Sequence, residues 1–228
     1  LMKSSVITFP GSNCDRDMDV ALKKFGFNNK MVWHNDNELP KSDLIVLPGG
    51  FSYGDYLRCG SMASKSKIMK SVINFANSGG LVLGICNGFQ ILVETGLVPG
   101  VLLRNKYLEF ICKNVFVKID NKNNLYFKNL EKKVLELHIA HNEGNYFCTN
   151  EQLKEIEDHE QIAIYYSNKE GKTEEKFNPN GSVKNIAGIF NKKKNVLGMM
   201  PHPERMIDKS LSGDDGSIFF KNLINNIR

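Results

Sequence analysis

The first half of the chain alternates short apolar runs with segments in which apolar residues recur every three or four positions. Segments 18–25 and 68–76 each place their apolar residues on one helical face, and glycine follows both. The run 81–85 is almost wholly apolar, which is typical of a parallel strand covered on both faces. With strands predicted at 5–9, 30–33, 43–47 and 81–85, this alternation predicts an α/β domain: a doubly wound, mostly parallel central sheet with helices on both faces.

The second half is less regular but still rich in strand-like runs. Strands are predicted at 115–119, 134–139, 162–166, 186–190 and 196–200. A polar stretch at 168–180 indicates a loop, and the apolar spacing in 216–228 predicts a closing helix. Because neither a repeat nor a change of composition divides the chain, we expect a single domain over residues 2–228.

Composition and charge exclude several classes of protein. The 228 residues are 41% hydrophobic and 24% charged, which provides for a full core and argues against wholesale disorder. The net charge of +5 rests on 25 Lys and only 5 Arg, without the clustered Arg and interleaved aromatics of a nucleic-acid surface. The longest apolar stretch, 81–103, is interrupted by polar residues, and the first ten residues are too short for a secretory signal. We therefore expect a cytoplasmic protein with no nucleic-acid or membrane partner.

The sharpest local signal is Gly-Ile-Cys-Asn-Gly-Phe-Gln at residues 84–90. It follows a buried strand and opens an apolar helix, as does the G-x-S-x-G nucleophile elbow, here with Cys86 in place of serine. The tight turn needs both glycines, strains Cys86 and puts its thiol at a helix N-terminus, where the dipole favours the thiolate. The amide of Asn87 would point to a developing oxyanion. On this segment alone, a buried structural cysteine is an equally good interpretation.

A histidine and a carboxylate stand close together near the other end of the chain. His202 and Glu204 alternate with prolines directly after a predicted strand. Pro203 favours an extended conformation at His202, and residues i and i+2 of an extended segment share a face. The pair suits a general base and its orienting carboxylate, with a polar loop and a chance histidine as the alternative. Taken with the elbow, it predicts a Cys86–His202–Glu204 triad, in a chain order that differs from that of α/β-hydrolases.

A glycine-rich segment follows the strand predicted at 43–47. Gly49 and Gly50 free backbone N–H groups to face a ligand or an anion. The segment is not a Walker A loop, because Asp55 stands where lysine would follow Gly54. A flexible turn between strand and helix explains it equally well.

No metal site is predicted. The five Cys contain no C-x-x-C pair, which also argues against a disulfide framework. His138 and His141 are three residues apart on a predicted strand, so their side chains point to opposite faces. His141 is instead a candidate lining residue of a pocket.

The elbow at 84–90 and the distant His202-Pro203-Glu204 resemble the class I, or triad, glutamine amidotransferases, whose domain is flavodoxin-like. The resemblance covers nearly the whole chain. Four stretches narrow it to glutaminase subunits of purine biosynthesis: residues 9–15, 49–58, 178–182 and 200–205. Departures from the expected pattern are Cys59, where a small residue is expected, and Asn142 and Asn145, where Gly and Arg are expected.

The resemblance implies a reaction and a set of site residues. Cys86 would attack the side-chain amide of glutamine, His202 would protonate the departing ammonia, and Glu204 would orient His202. The oxyanion would rest on backbone amides near Gly50 and Asn87. The implied oxyanion and substrate-binding residues are Gly49, Gly50, Asn87, Gln90 and Arg58.

The resemblance also implies partners. A large synthetase subunit would receive the ammonia, and a small subunit would bridge the two chains. We expect no cofactor in this chain, and ATP and Mg on the synthetase. A glutaminase serving another ammonia acceptor, a related thiol hydrolase and a scaffold subunit without activity are the alternatives.

Overall fold

The computed structural model describes residues 2–120 and 122–228, which contain eleven strands and five helices. The strands are β1 Lys3–Thr8, β2 Asn28–Trp33, β3 Leu44–Leu47, β4 Leu81–Ile85, β5 Val101–Leu103, β6 Ile111–Ile119, β7 Val134–His141, β8 Asn145–Phe147, β9 Ile162–Ser167, β10 Ile186–Phe190 and β11 Val196–Met199. The helices are α1 Asp15–Lys24, α2 Lys67–Asn77, α3 Asn87–Glu94, α4 Asn150–Asp158 and α5 Asp215–Ile227.

Nine strands form one mixed sheet in the order β2-β1-β3-β4-β11-β10-β9-β6-β7. The pairings from β2 to β11 are parallel, and those from β11 to β7 are antiparallel. Strands β5 and β8 pair separately. The predicted α/β class is confirmed, but the prediction of a mostly parallel sheet is wrong, because four of the eight pairings are antiparallel. The parallel part is the region where strands and helices alternate along the chain, and the antiparallel part is built from the second half, where consecutive strands pair without a crossover helix.

Burial differs between the centre of the sheet and its β7 edge. Every residue of β3 and of β4 is buried, as a strand covered on both faces requires. Along β7, partly and fully buried residues alternate, so that strand turns only one face to the core. The prediction of a strand covered on both faces is therefore confirmed for β4.

The structure adds elements that the apolar pattern did not indicate. Strand β6 begins at Ile111, four residues before the predicted start. Helix α4 is polar apart from Leu153 and Ile156, and a capping box formed by Thr149 and Gln152 fixes its start. No helix of the described residues is long and apolar enough to cross a membrane.

Two neighbouring parallel strands bring the predicted site together. Met199 on β11 stands opposite Ile85 on β4, and the amide of Cys86 donates to the Met199 carbonyl at 2.8 Å. Because both strands run in the same direction, the residues that follow them meet at one edge of the sheet. The elbow and the His202 segment are therefore adjacent, although nearly half of the chain separates them.

Candidate active site

The turn at Cys86 has the geometry of a nucleophile elbow. Cys86 has φ 50° and ψ −105°, a conformation that costs a non-glycine residue roughly 1–3 kcal/mol. A Cβ on Gly84 would lie 2.7 Å from the Gly88 carbonyl oxygen, and one on Gly88 would lie 1.9 Å from the Leu47 oxygen. Glycine is thus required at both positions, because the backbone leaves no room for a methyl group.

His202 and Glu204 form a buried hydrogen-bonded pair. Nδ1 of His202 donates to Oε1 of Glu204 at 2.6 Å, and the two side chains are 1% and 0% exposed. The amide of His202 donates to the His138 carbonyl at 2.8 Å and fixes this segment to β7. Glu204 lies in a single 3₁₀ turn, Pro203–Arg205, and not in the extended segment that the prolines predicted. The turn reaches the same side-by-side placement by a different backbone path.

Electrostatics favour the protonated form of His202. Burial disfavours the imidazolium, but the carboxylate of Glu204 and the neighbouring charge of Cys86 outweigh this penalty and raise the pKa of His202 well above its usual value. A buried imidazolium between a thiol and a carboxylate suits a proton donor. The structure therefore brings together the three residues of the predicted triad.

The thiol of Cys86 occupies a confined space. It is 5% exposed, and its Sγ donates to the Ala140 carbonyl at 3.6 Å. It also lies beside the imidazole of His202, whose pKa it helps to raise.

The predicted oxyanion loop, which contains Gly49 and Gly50, packs directly on the His202–Glu204 pair, called the dyad below. A Cβ on Gly49 would lie 2.6 Å from Cε1 of His202, so this glycine admits the imidazole. Gly50 has φ +140°, and a Cβ there would lie 2.6 Å from the Asn13 amide nitrogen. The Ser52 amide donates to Oδ1 of Asn87 at 3.2 Å, which ties the loop to the start of α3. As the first residue of that helix, Asn87 has a backbone amide without an intrahelical acceptor.

The other two predicted substrate-binding residues lie in different surroundings. Gln90 is buried, accepts from Asn87 Nδ2 at 2.9 Å and donates to the Glu143 carbonyl at 2.7 Å. Arg58 is 67% exposed and pairs with Glu94 at 2.7 Å. Gln90 thus belongs to the buried network and Arg58 to the surface. Direct contact of either residue with glutamine stays a prediction.

Two of the residues that depart from the expected pattern have defined surroundings in the structure. Cys59 is buried close to the carboxylates of Asp55 and Glu143, and burial is the main cause that raises the pKa of its thiol. The Asn142 carbonyl accepts from the Asn105 amide at 2.9 Å. Asn105 in turn supports a histidine of the site.

That histidine is His141, which is 2% exposed. Its Nδ1 bonds to Oδ1 of Asn105 at 3.1 Å, and its Nε2 has no hydrogen-bond partner among the described residues. Burial and the nearby His202 lower its pKa to about 3, so it is neutral at physiological pH. A neutral imidazole with a free, buried nitrogen is a polar lining group, in line with the pocket position considered for His141.

Two residues of the site were not anticipated as such. Cys14 and Arg205 lie against the dyad, and Nη2 of Arg205 donates to Sγ of Cys14 at 3.0 Å. Both belong to the stretches that carried the family resemblance, at 9–15 and 200–205, but no spacing within either stretch indicated that they meet.

Comparison with known proteins agrees with this geometry. The family profile described as a CobB/CobQ-like glutamine amidotransferase domain matches residues 2–213. The chain is 78% identical over 227 residues, covering 100% of both proteins, to the phosphoribosylformylglycinamidine synthase subunit PurQ of Pelagibacter ubique. The chain belongs to the PurQ family of glutamine amidotransferases. The PurQ subunit of Synechocystis sp. is 51% identical over 217 residues, which cover 94% of this chain and 97% of the relative.

The PurQ family is also represented among the solved structures that resemble this chain. A chain of the structure described as PurLQS from Thermotoga maritima superposes with a TM-score of 0.87 at 38% identity, covering 100% of this chain and 99% of that one. Family membership confirms the resemblance drawn from the elbow and the His202 segment.

Proposed function

We propose that this chain hydrolyses glutamine and supplies the ammonia to an ATP-dependent synthetase that makes phosphoribosylformylglycinamidine in purine biosynthesis. One observation carries the proposal: Cys86, strained at the head of α3, lies beside a buried His202–Glu204 pair in a chain of the PurQ family. A thiol, a proton donor and an orienting carboxylate are the groups that acyl transfer from an amide requires.

The first half of the reaction breaks the amide bond. The Cys86 thiolate attacks the side-chain carbonyl carbon of glutamine, and the oxygen takes the negative charge. Backbone amides at Gly50 and Asn87 stabilise that oxyanion. His202 gives its proton to the nitrogen as the C–N bond breaks, which leaves ammonia and a glutamyl thioester on Cys86. Glu204 keeps the imidazole oriented throughout.

The second half restores the thiol. His202, now neutral, takes a proton from water as the water oxygen attacks the thioester carbon. The C–S bond breaks, glutamate leaves, and the proton returns to the Cys86–His202 pair. The sum is glutamine plus water giving glutamate, ammonia and one proton, and no step needs a metal or cofactor in this chain.

The ammonia has to reach its acceptor before it is protonated in bulk water. The PurQ name and the PurLQS assembly of the Thermotoga relative support two partners: a large synthetase subunit, which binds ATP and Mg, and a small bridging subunit. The substrates of purine biosynthesis are cytoplasmic, and we place this chain in the same compartment.

The test compares two nitrogen donors in the reconstituted complex. Cys86→Ala should abolish amidine formation from glutamine and leave formation from added ammonium salts intact. Cys148→Ser, which alters another buried thiol of the chain, serves as the matched control and should leave both activities intact. Loss of both activities in Cys86→Ala, or retention of the glutamine-dependent one, would contradict the proposal. Transfer to a different acceptor would support the alternative of another synthetase partner.

A further inference from the structure

A second cysteine lies against the proposed catalytic pair. Sγ of Cys14, a nitrogen of His202 and a carboxylate oxygen of Glu204 all lie within 4.8 Å of one another. The three residues are at most 2% exposed. A Cβ on Gly49 would lie 3.3 Å from the sulfur and 2.6 Å from Cε1 of the imidazole. Cys14 and Gly49 together form the wall that holds the His202 ring.

Three hydrogen bonds fix the position of Cys14. Its amide donates to the Gly49 carbonyl at 3.3 Å, and its thiol donates to Oδ1 of Asn13 at 3.4 Å. Its sulfur accepts from Nη2 of Arg205 at 3.0 Å. The thiol is therefore the acceptor that occupies one end of the Arg205 guanidinium, and Asp17 lies 3.9 Å from the guanidinium Nε.

Only one of the two oxygens of the Glu204 carboxylate has a hydrogen-bond partner among the described residues. Oε1 accepts from His202, whereas Oε2 is buried and has no hydrogen-bond partner among the described residues. Arg205 is the next residue after Glu204, and it carries the guanidinium that is nearest to Glu204 along the sequence. An unpartnered carboxylate oxygen would be the preferred acceptor of a guanidinium that had lost its own partner, since charged donors and acceptors bond more strongly than neutral ones.

We propose that Cys14 is a positioning residue that holds the Arg205 guanidinium on its sulfur and so reserves the Glu204 carboxylate for His202. The inference rests on the proposed roles of Cys86 and His202. A carboxylate shared with a guanidinium stabilises an imidazolium less than one that faces the imidazole alone. Cys14 also lies close enough to His202 to help raise its pKa directly, and the effect proposed here is the additional one that it exerts through Arg205.

The charged and titratable groups around the His202 imidazole come from four parts of the fold. The turn after β11, the start of α1, the start of α3 and strand β7 each contribute. The two histidines on β7 are held neutral, because burial lowers the pKa of each. Among these groups, Glu204 is the carboxylate whose partners would change. The full set is Glu204, Arg205, Cys14, Cys86, His138 and His141.

The test follows alkylation of Cys86 by iodoacetamide over a range of pH, with the adduct on the Cys86 peptide quantified by mass spectrometry in the full-length chain. In Cys14→Ala, the Arg205 guanidinium turns to the Glu204 carboxylate, which then stabilises the His202 imidazolium less. The thiolate it stabilises then forms at higher pH, so the half-maximal alkylation rate moves up by about one pH unit.

The same variant also changes the kinetics. The kcat for glutamine hydrolysis in the complex falls about tenfold, by the same free energy, with KM unchanged.

Two matched variants separate this role from a merely structural one. Cys14→Ser retains an acceptor for Arg205 and should keep the wild-type profile. Cys14→Ala combined with Arg205→Met removes the competing guanidinium and should bring the profile back towards that of the wild type, short of the part that Cys14 contributes directly to His202. If the smaller alanine impairs folding, Cys14→Val takes its place, because valine fills the space without offering a strong acceptor. The same shift of the pH profile is expected for it.

The possible results distinguish failure of this inference from failure of the proposed function. An unshifted profile in both Cys14→Ala and Cys14→Val, a shift in Cys14→Ser, or no recovery in the double variant would overturn the inference. A wild-type chain whose Cys86 is not labelled by a glutamine-analogue electrophile would overturn the proposed function. A wild-type chain that is labelled, with an unshifted Cys14→Ala, would overturn only the role of Cys14.

Discussion

His202 is hydrogen-bonded through one ring nitrogen, to Glu204. Nδ1 donates to Oε1 of Glu204 at 2.6 Å, whereas Nε2 is buried and has no hydrogen-bond partner among the described residues. The carboxylate therefore sets both the orientation of the ring and its charge, and leaves Nε2 available for proton transfer.

Replacing Glu204 with Gln should strip His202 of its main source of protonation. Burial then dominates, so the pKa of His202 falls and the imidazolium is lost near neutral pH. We expect kcat for glutamine hydrolysis to drop by roughly 10²–10⁴. Steady-state assay of the complex checks this, with ammonia-dependent synthesis as the internal control. A loss below threefold would show that Glu204 does not act on His202.

Asn87 should matter through its side chain as well as its amide. Its Oδ1 accepts from the Ser52 amide and holds the loop that carries Gly50. Asn87→Ala leaves that buried donor unpaired and should lower kcat about tenfold, the equivalent of one buried hydrogen bond. Asn87→Asp keeps the acceptor and should retain more activity than Asn87→Ala. Equal losses in the two variants would argue against the link between loop and helix.

The two ends of α3 offer a matched test of backbone crowding. A Cβ on Gly88 would overlap the Leu47 carbonyl oxygen at 1.9 Å, whereas one on Gly96 would meet nothing within 4 Å at φ +72°. Gly88→Ala should lower the free energy of unfolding by about 3 kcal/mol or more through overpacking. Gly96→Ala should cost about 1–2 kcal/mol through the left-handed backbone alone. Chemical denaturation of both variants measures the difference, and equal effects would contradict the crowding seen at the elbow.

His141 should make stability depend on pH. Its pKa is about 3 in the folded chain and near its usual 6.5 when unfolded, so the unfolded state takes up the proton first as the pH falls. Its contribution is fully present above about pH 6.5 and is lost towards pH 3, with a slope of about 1.4 kcal/mol per pH unit. In His141→Gln this loss should be absent. Denaturation of both proteins at several pH values checks the prediction, and parallel pH curves would contradict it.

The centre of the sheet could be predicted because β3 and β4 are buried on both faces. Strands such as β4 are then continuously apolar and stand out in the sequence. Helix α4 escaped notice because only Leu153 and Ile156 are buried in it, although the Thr149–Gln152 capping box was visible as a signal. The separate pairing of β5 with β8 has no local signature, because it depends on contacts across the chain.

The elbow could be found because its geometry depends on neighbouring residues. Gly84, Cys86 and Gly88 lie within five positions, and the turn they form is local. The contact of Cys14 with Arg205 joins residues 191 positions apart, and that of His141 with Asn105 spans 36. Neither pair follows a periodic pattern, so only the folded chain shows that these residues surround the dyad.

In the proposed mechanism, Cys86 is the nucleophile that opens the amide of glutamine. The most direct measurement is intact and peptide mass spectrometry of the complex after exposure to a glutamine-analogue electrophile. We predict a single adduct per chain, located on Cys86, and its absence when excess glutamine is present. An adduct on another of the five cysteines, or none, would contradict the account.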